Sequence, residues 1–141
     1  MANNDIATAL MLASMNGDVS AVRLLLESWG VEVNQARYNG RTALYMALYM
    51  ASYKGHVDVV RLLLGVEGVE VNQARDDGYT ALIWASEKGH VDVVRLLLGV
   101  KGVDVNQQTN DGTSPLQVAI KENGNLKTCL LYTSPSPRDR G

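Results

Sequence analysis

Apolar residues recur along the chain in a pattern that predicts pairs of short helices. Leu82 and Ala85 stand three positions apart and therefore share one face of a helix. A second apolar stripe follows at Val94, Leu97 and Leu98, again with the spacing of one helix face. Each stripe spans only a few turns, so the pattern predicts two short helices that each bury one side.

Turn and cap signals mark the ends of these two helices. Asp77-Gly78 is a turn signal, because glycine readily adopts the positive φ that a tight turn needs. Thr80 directly precedes the first stripe, where its hydroxyl can accept a hydrogen bond from a free backbone N–H. Gly89 is expected to end the first helix in the left-handed conformation. Gly99 is expected to end the second helix, and a short extended segment then leads to the next turn.

The same pattern occurs four times. The stretch that begins at Gly55 recurs almost unchanged from Gly89, an offset of 34 residues. Self-similarity at this period predicts a solenoid, because one helix pair cannot bury its apolar face without neighbours. The repeats are predicted at about 5–37, 38–75, 76–109 and 110–128, the last of them truncated. One position of the pattern is occupied in the four copies by Thr8, Thr42, Thr80 and Ser114.

The second copy is longer than the others, because residues 43–46 (ALYM) are repeated at once as residues 47–50. Four residues advance a helix by about 400°, so the side chains that follow are rotated by only about 40°. The sequence therefore predicts a first helix with one additional turn. This turn is either an added aromatic contact at a binding face or a tolerated slip. Some of its large side chains are expected to be unusually exposed: Tyr45 or Tyr49, with Met46 or Met50.

Composition narrows the class of protein. The hydrophobic content of 46% is that of a folded chain, and the formal net charge of −2 comes without a basic run that would indicate nucleic acid. No apolar run reaches the roughly 18 residues of a membrane span. Cys129 is the single cysteine, so an internal disulfide is excluded and a cytoplasmic or nuclear location is expected. We expect a monomer.

The segment from Cys129 onward departs from the repeat pattern. It contains two of the three prolines, and residues 129–139 resemble a translation of the transposase adapter used in short-read sequencing libraries. We therefore expect residues 129–141 to be a non-native tail and the natural reading frame to continue past Thr128. Leu130 and Leu131 could still complete an apolar turn by accident. The alternative is a genuine Ser/Pro-rich linker to a further domain.

The string DGYTALIWASEKGHVDVVRLLL from Asp77, followed by GVDVN, resembles an ankyrin repeat. The resemblance covers residues 5–128 and makes residues 1–128 an ankyrin repeat domain. It implies an all-α, ankyrin-type solenoid of stacked helix-turn-helix repeats with projecting β-hairpin-like loops. The family's Thr-Pro-Leu-His is Thr-Ala-Leu-Ile at residues 80–83, which removes a side-chain hydrogen bond typical of the family. The position of that histidine is held in the four copies by Met11, Tyr45, Ile83 and Gln117.

The resemblance also implies a function. Proteins of this family bind other proteins through their hairpin tips and the concave face of their first helices. Arg41 and Tyr79 follow the turn glycine at matched positions, and both residue types are typical interface anchors. The alternative is a solvated polar edge that binds nothing. The residues selected for a protein-binding surface are Arg37, Tyr38, Arg41, Arg75, Asp76, Tyr79, Ile83, Trp84 and Glu87.

No motif for catalysis, a metal or a cofactor is found in the sequence, so none of these is expected. His56 and His90 hold equivalent positions and could form a metal pair. Equivalent residues of stacked repeats lie about 10 Å apart, however, which is too far for one zinc ion. The resemblance implies instead that each histidine holds its own interhelical turn. We expect a protein-interaction scaffold for a partner that the sequence does not identify. The second hypothesis is a regulatory or targeting segment of a larger enzyme, such as a kinase or ubiquitin ligase.

Overall fold

The protein is described by a computed structural model that covers residues 3–35, 37–38, 41–122 and 126–133. Side chains are described for residues 5–29, 42–122 and 127–132. The chain divides into two compact units, Met1–Glu70 and Val71–Gly141. Each unit is built from helices in pairs, so the predicted all-α class is confirmed.

The described part of the first unit contains two helix pairs and one short hairpin. The hairpin strands are antiparallel, with Arg37 opposite Thr42 and Tyr38 opposite Arg41. Helix α1 packs along both α2 and α3, and α3 packs along α4. The elements are α1 (Asn3–Asn16), α2 (Val19–Gln35), β1 (Arg37–Tyr38), β2 (Arg41–Thr42), α3 (Ala43–Lys54) and α4 (Val57–Leu64).

The second unit repeats this arrangement with shorter first helices. Its described elements are α5 (Ala81–Lys88), α6 (Val91–Leu98), α7 (Pro115–Glu122) and α8 (Leu126–Thr133). Helix α5 packs against α6 and α7, and α8 packs against α6 and α7. The Thr80 hydroxyl accepts from the N–H of Ile83 at 3.2 Å, and Gly89 ends α5 with a φ of 73°. Both predicted ends of the first helix are therefore confirmed.

The apolar stripes of the second helices lie in the core of their units. Val60 in α4 and Val94 in α6 hold equivalent positions, and both side chains are fully buried. Leu97 is 0% exposed, and the neighbouring Leu98 is also buried. Leu64, the equivalent of Leu98, is half-buried. The predicted stripe is thus core in both units, although its last leucine is covered less well in α4.

The additional turn in the second repeat is confirmed, but the exposure expected of it is wrong. Helix α3 has 12 residues, whereas α5 has 8. Tyr45 is only 3% exposed, and Met46, Tyr49 and Met50 are half-buried. The reason is that α1 is also long. It begins at Asn3, well before Thr8, because Ile6 takes the place of the helix-breaking turn glycine.

The second helix of the first repeat, α2, ends differently from the second helices of the later repeats. Helix α2 breaks at Trp29, which has a φ of −134° and a ψ of 38°, and then continues to Gln35. Glu27 stands where Gly65 and Gly99 end the later second helices, so no glycine stops α2 at this point. The extended segment predicted after the second helix therefore does not form here.

His56 bonds to the preceding repeat and not to its own interhelical turn. Its Nε2 lies 3.0 Å from the carbonyl oxygen of Met15, to which it donates. A Cβ added to Gly17 would come within 2.7 Å of His56 Nδ1, so the ring packs directly on the turn between α1 and α2. The expectation that His56 holds its own turn is wrong, since the ring joins two successive repeats.

Asn72 joins successive loops of the second unit. Its Nδ2 donates to the carbonyl of Gly102 at 2.9 Å, and its Oδ1 accepts from the N–H of Asp104 at 2.7 Å. The side-chain amide therefore satisfies one donor and one acceptor of the following loop.

Asn72→Ala is expected to lower the free energy of unfolding by about 1–2 kcal/mol, because two hydrogen bonds between loops are lost. Urea unfolding followed by circular dichroism measures this loss. The matched control is Asn106→Ala at the equivalent position one repeat later, where the asparagine is exposed. Equal losses in the two variants would show that Asn72 does not stabilise the loop pair.

Helix α8 includes part of the segment that the sequence assigns to an adapter. The hydroxyl groups of Tyr132 and Ser86 form a hydrogen bond, so this helix is tied to α5. Burial raises the pKa of Tyr132, which keeps its hydroxyl protonated. Leu130 is exposed and Leu131 is half-buried. A helix forms here whatever the origin of the residues, so the adapter origin stays a prediction, and residues 134–141 lie outside the described part.

Candidate functional site

The residues predicted to bind a partner fall in two places. Arg37, Tyr38 and Arg41 belong to the hairpin of the first unit, and their side chains lie outside the described residues. The other six belong to the second unit, where they occupy the loop before α5 and α5 itself. The described side chains of the candidate site therefore all belong to the second unit.

The loop before α5 is a tight turn closed by its own backbone. The N–H of Arg75 donates to the carbonyl of Tyr79 at 2.9 Å, and the N–H of Gly78 donates to the carbonyl of Arg75 at 2.9 Å. Asp77 Oδ1 accepts from the N–H of Tyr79 at 3.0 Å. The Arg75 guanidinium lies 3.7 Å from the Asp77 carboxylate, with both side chains 43% exposed. An ion pair this exposed contributes little to stability, so the Arg75 guanidinium can leave Asp77 and contact another group.

The following loop supports the tip of this turn. The backbone N–H of Asn110 donates to the carbonyl of Asp77 at 3.0 Å, and its side-chain amide donates to the carbonyl of Asp76 at 2.6 Å. Asp111 accepts hydrogen bonds from the hydroxyls of Thr109 and Thr113. These bonds, that from Thr109 above all, lower the pKa of Asp111, so its carboxylate is ionised at neutral pH. The bonds from Asn110 therefore hold the tip of the turn before α5 in place.

Four side chains form an aromatic cluster beside this tip: Tyr79, Trp84, Glu87 and Lys88. The rings of Tyr79 and Trp84 lie 4.6 Å apart between centroids at an interplanar angle of 40°. The Tyr79 hydroxyl donates to Glu87 Oε1 at 3.3 Å, and Lys88 Nζ lies 5.9 Å from the Trp84 ring centroid. Lys88 is exposed and the other three are half-buried. The aromatic cluster thus presents ring surface that is held in place but still accessible.

Several effects keep the Tyr79 hydroxyl protonated. Burial raises its pKa most, and the nearby Glu87 carboxylate raises it further by its charge and by accepting the hydrogen bond. The charges of Asp111 and Asp77 act in the same direction. The hydroxyl therefore remains protonated and can donate to Glu87.

The structure contradicts the prediction that Ile83 belongs to the protein-binding surface. Its side chain is 0% exposed, so it cannot contact a partner in this conformation. In contrast, Arg75 and Asp76 are exposed at the tip of the turn. Ile83 holds the position of the histidine in the family's Thr-Pro-Leu-His, and an apolar side chain at this position packs into the core.

Sequence reasoning missed three residues of this surface. Lys88 stands four positions after Trp84, a spacing that places both side chains on one face of a helix. This spacing could have identified it. The sequence predicts Asp77 only as part of a turn, and nothing in the local sequence of Asp77 or Asp111 indicates that both act on the same tyrosine.

Among the described residues no three His, Cys, Asp or Glu side chains converge closely enough to hold a metal ion. None of the described helices combines the length and hydropathy that crossing a bilayer requires.

Comparison with known families agrees with this geometry. The family model for ankyrin repeats (3 copies) matches residues 1–50 and 48–134, nearly the whole chain. The chain belongs to the ankyrin repeat family. A comparison with curated proteins finds no match. Ankyrin repeats are generally protein–protein interaction modules and are typically non-catalytic. The loop tip and the aromatic cluster of this ankyrin chain are therefore its candidate binding surface.

Proposed function

We propose that this ankyrin chain binds a protein partner through the tip residues Arg75 and Asp76 together with the aromatic cluster. The observation that supports it is the Tyr79–Trp84 pair, whose rings lie 4.6 Å apart and are only half-buried. Tyr, Trp and Arg are the residue types that contribute most to binding at protein interfaces. Here all three occur within ten consecutive positions of the chain.

Preorganisation is the second argument. The tip is closed by its own backbone and by Asn110, while Glu87 and Lys88 flank the two rings. Ordering interface side chains costs binding free energy, and these side chains are already ordered before a partner arrives. A partner therefore meets a surface that loses little conformational entropy. The alternative, a regulatory or targeting segment of a larger enzyme, stays a prediction. Such a segment would bind its target through the same surface.

Arg75→Ala and Tyr79→Ala are each expected to weaken binding about tenfold or more, because each truncates an anchor of the surface. Peptides selected on the wild-type chain from a random library serve as the ligands, and fluorescence anisotropy measures their affinity. Arg95→Ala is the matched control for Arg75→Ala, since Arg95 also pairs with an aspartate but lies on α6. Thermal unfolding of each variant shows that the fold is retained. Affinities unchanged by Arg75→Ala and Tyr79→Ala would contradict the proposal.

A further inference from the structure

Carboxylates from three separate segments of the second unit act on Tyr79. Glu87 in α5 accepts from the Tyr79 hydroxyl at 3.3 Å, and Asp77 in the turn accepts from the Tyr79 N–H at 3.0 Å. Asp111 belongs to the following loop, which is bonded to the turn through Asn110. Its charge also acts on Tyr79. Residues distant in the sequence thus direct negative charge at one accessible aromatic side chain.

The cations nearby do not balance this charge. Asp76 is exposed at the tip of the turn, which brings the carboxylates on this surface to four. Arg75 lies 3.7 Å from Asp77, and Lys88 lies over the Trp84 ring. Among the described side chains of the tip, the aromatic cluster and the following loop, two cations stand against four carboxylates, so these side chains together carry a net negative charge.

Ring faces and carboxylates attract the same ligand chemistry. The face of a Tyr or Trp ring attracts a guanidinium or an ammonium group through its quadrupole. The Glu87 carboxylate, which accepts from the Tyr79 hydroxyl, and the neighbouring aspartates add charge–charge attraction and hydrogen-bond acceptors for an arginine or a lysine. An acidic partner would meet like charges, which costs affinity.

We infer that the partner presents a basic segment, with Arg or Lys side chains placed against Tyr79 and its surrounding carboxylates. This inference rests on the proposed function, because it specifies the chemistry of the partner for the same surface. It predicts that the partner's binding segment is positively charged, which the net charge of the chain alone does not indicate.

The test uses the full chain and a random peptide library. Peptides selected on the wild-type chain are expected to be enriched in Arg and Lys. Glu87→Gln keeps an acceptor for the Tyr79 hydroxyl but removes the charge, and is expected to weaken these peptides about two- to fivefold. Asp92→Asn removes the same charge from α6, where Asp92 pairs with Arg95, and should leave the affinity unchanged. The affinity is also expected to fall with added salt, because the charges are exposed.

The possible outcomes separate the two proposals. Peptides that require Tyr79 but are neutral or acidic would overturn the basic partner and leave the binding surface standing. Basic peptides that bind the Tyr79→Ala and Arg75→Ala variants as well as the wild type would overturn the surface and the inference together. Equal effects of Glu87→Gln and Asp92→Asn would show a response to net charge only, which also contradicts the inference. A library that yields no enriched peptide contradicts both proposals.

Discussion

Leu97→Ala is expected to lower the free energy of unfolding by about 2–5 kcal/mol. The Leu97 side chain is 0% exposed on α6, which packs against α5 and α8. Alanine removes buried methyl and methylene groups and leaves a cavity that close-packed neighbours fill only in part. Urea unfolding followed by circular dichroism gives the change in free energy.

The matched control is a leucine on the surface of another second helix. Leu24 in α2 is 62% exposed, so Leu24→Ala removes little buried area and is expected to change stability by less than about 0.5 kcal/mol. A loss below about 1 kcal/mol for Leu97→Ala would mean that the apolar stripe of α6 is not core. The stripe predicted from sequence would then have no structural role.

Gly78→Ala is expected to destabilise the protein by about 2–5 kcal/mol, through two separate effects. Gly78 has a φ of 86°, and a side chain in this left-handed region costs about 1–2 kcal/mol. A Cβ at this position would also come within 2.7 Å of the backbone nitrogen of Asn110. Because backbone cannot rotate away, the two loops must separate, at a cost of about 1–3 kcal/mol more. The same substitution is expected to weaken partner binding, since it displaces the tip of the turn.

Gly112 isolates the second effect. It has a φ of 85°, but an added Cβ would meet nothing within 4 Å. Gly112→Ala should therefore show only the conformational cost of about 1–2 kcal/mol. If the two variants unfold at the same urea concentration with the same slope, the close approach of the loops does not contribute to stability.

Local signals in the sequence predict the helical framework well. Thr80 and Gly89 act within a few residues of their own positions, as a cap and as a left-handed helix end. The added turn of α3 follows from helix geometry in the same way. Such features need no knowledge of neighbouring repeats, which is why the pattern of residues is sufficient to identify them.

Burial and partners of single side chains depend on neighbours that a repeat pattern does not specify. The sequence predicts that Tyr45 or Tyr49 is exposed, but Tyr45 is buried and Tyr49 is half-buried, because α1 extends far enough to pack along the lengthened α3. His56 was assigned to its own turn, whereas the acceptor within its reach is Met15 of the preceding repeat. Ile83 was placed on a binding face because of its position in the family pattern, although an apolar side chain there is buried.

The candidate surface was predictable in composition but not in arrangement. Arg75, Asp76, Tyr79, Trp84 and Glu87 could be selected because each occupies a turn or first-helix position of the repeat. That Tyr79 packs on Trp84 and bonds to Glu87 depends on rotamers and on the entry of the chain into α5. The contribution of Asp111 requires the next loop to be in place, so no single repeat contains this information.

Because α1 and α3 are both long, the contact between two neighbouring repeats is enlarged without the addition of another repeat. Ile6 and Leu44, near the start of each helix, are both almost fully buried. Counted back from Gly17 and Gly55, they stand level with each other, because each precedes its glycine by the same number of residues. Deleting one ALYM copy would therefore leave Ile6 without a counterpart. The added turn of α3 is therefore buried only because α1, the helix beside it, extends by a matching length.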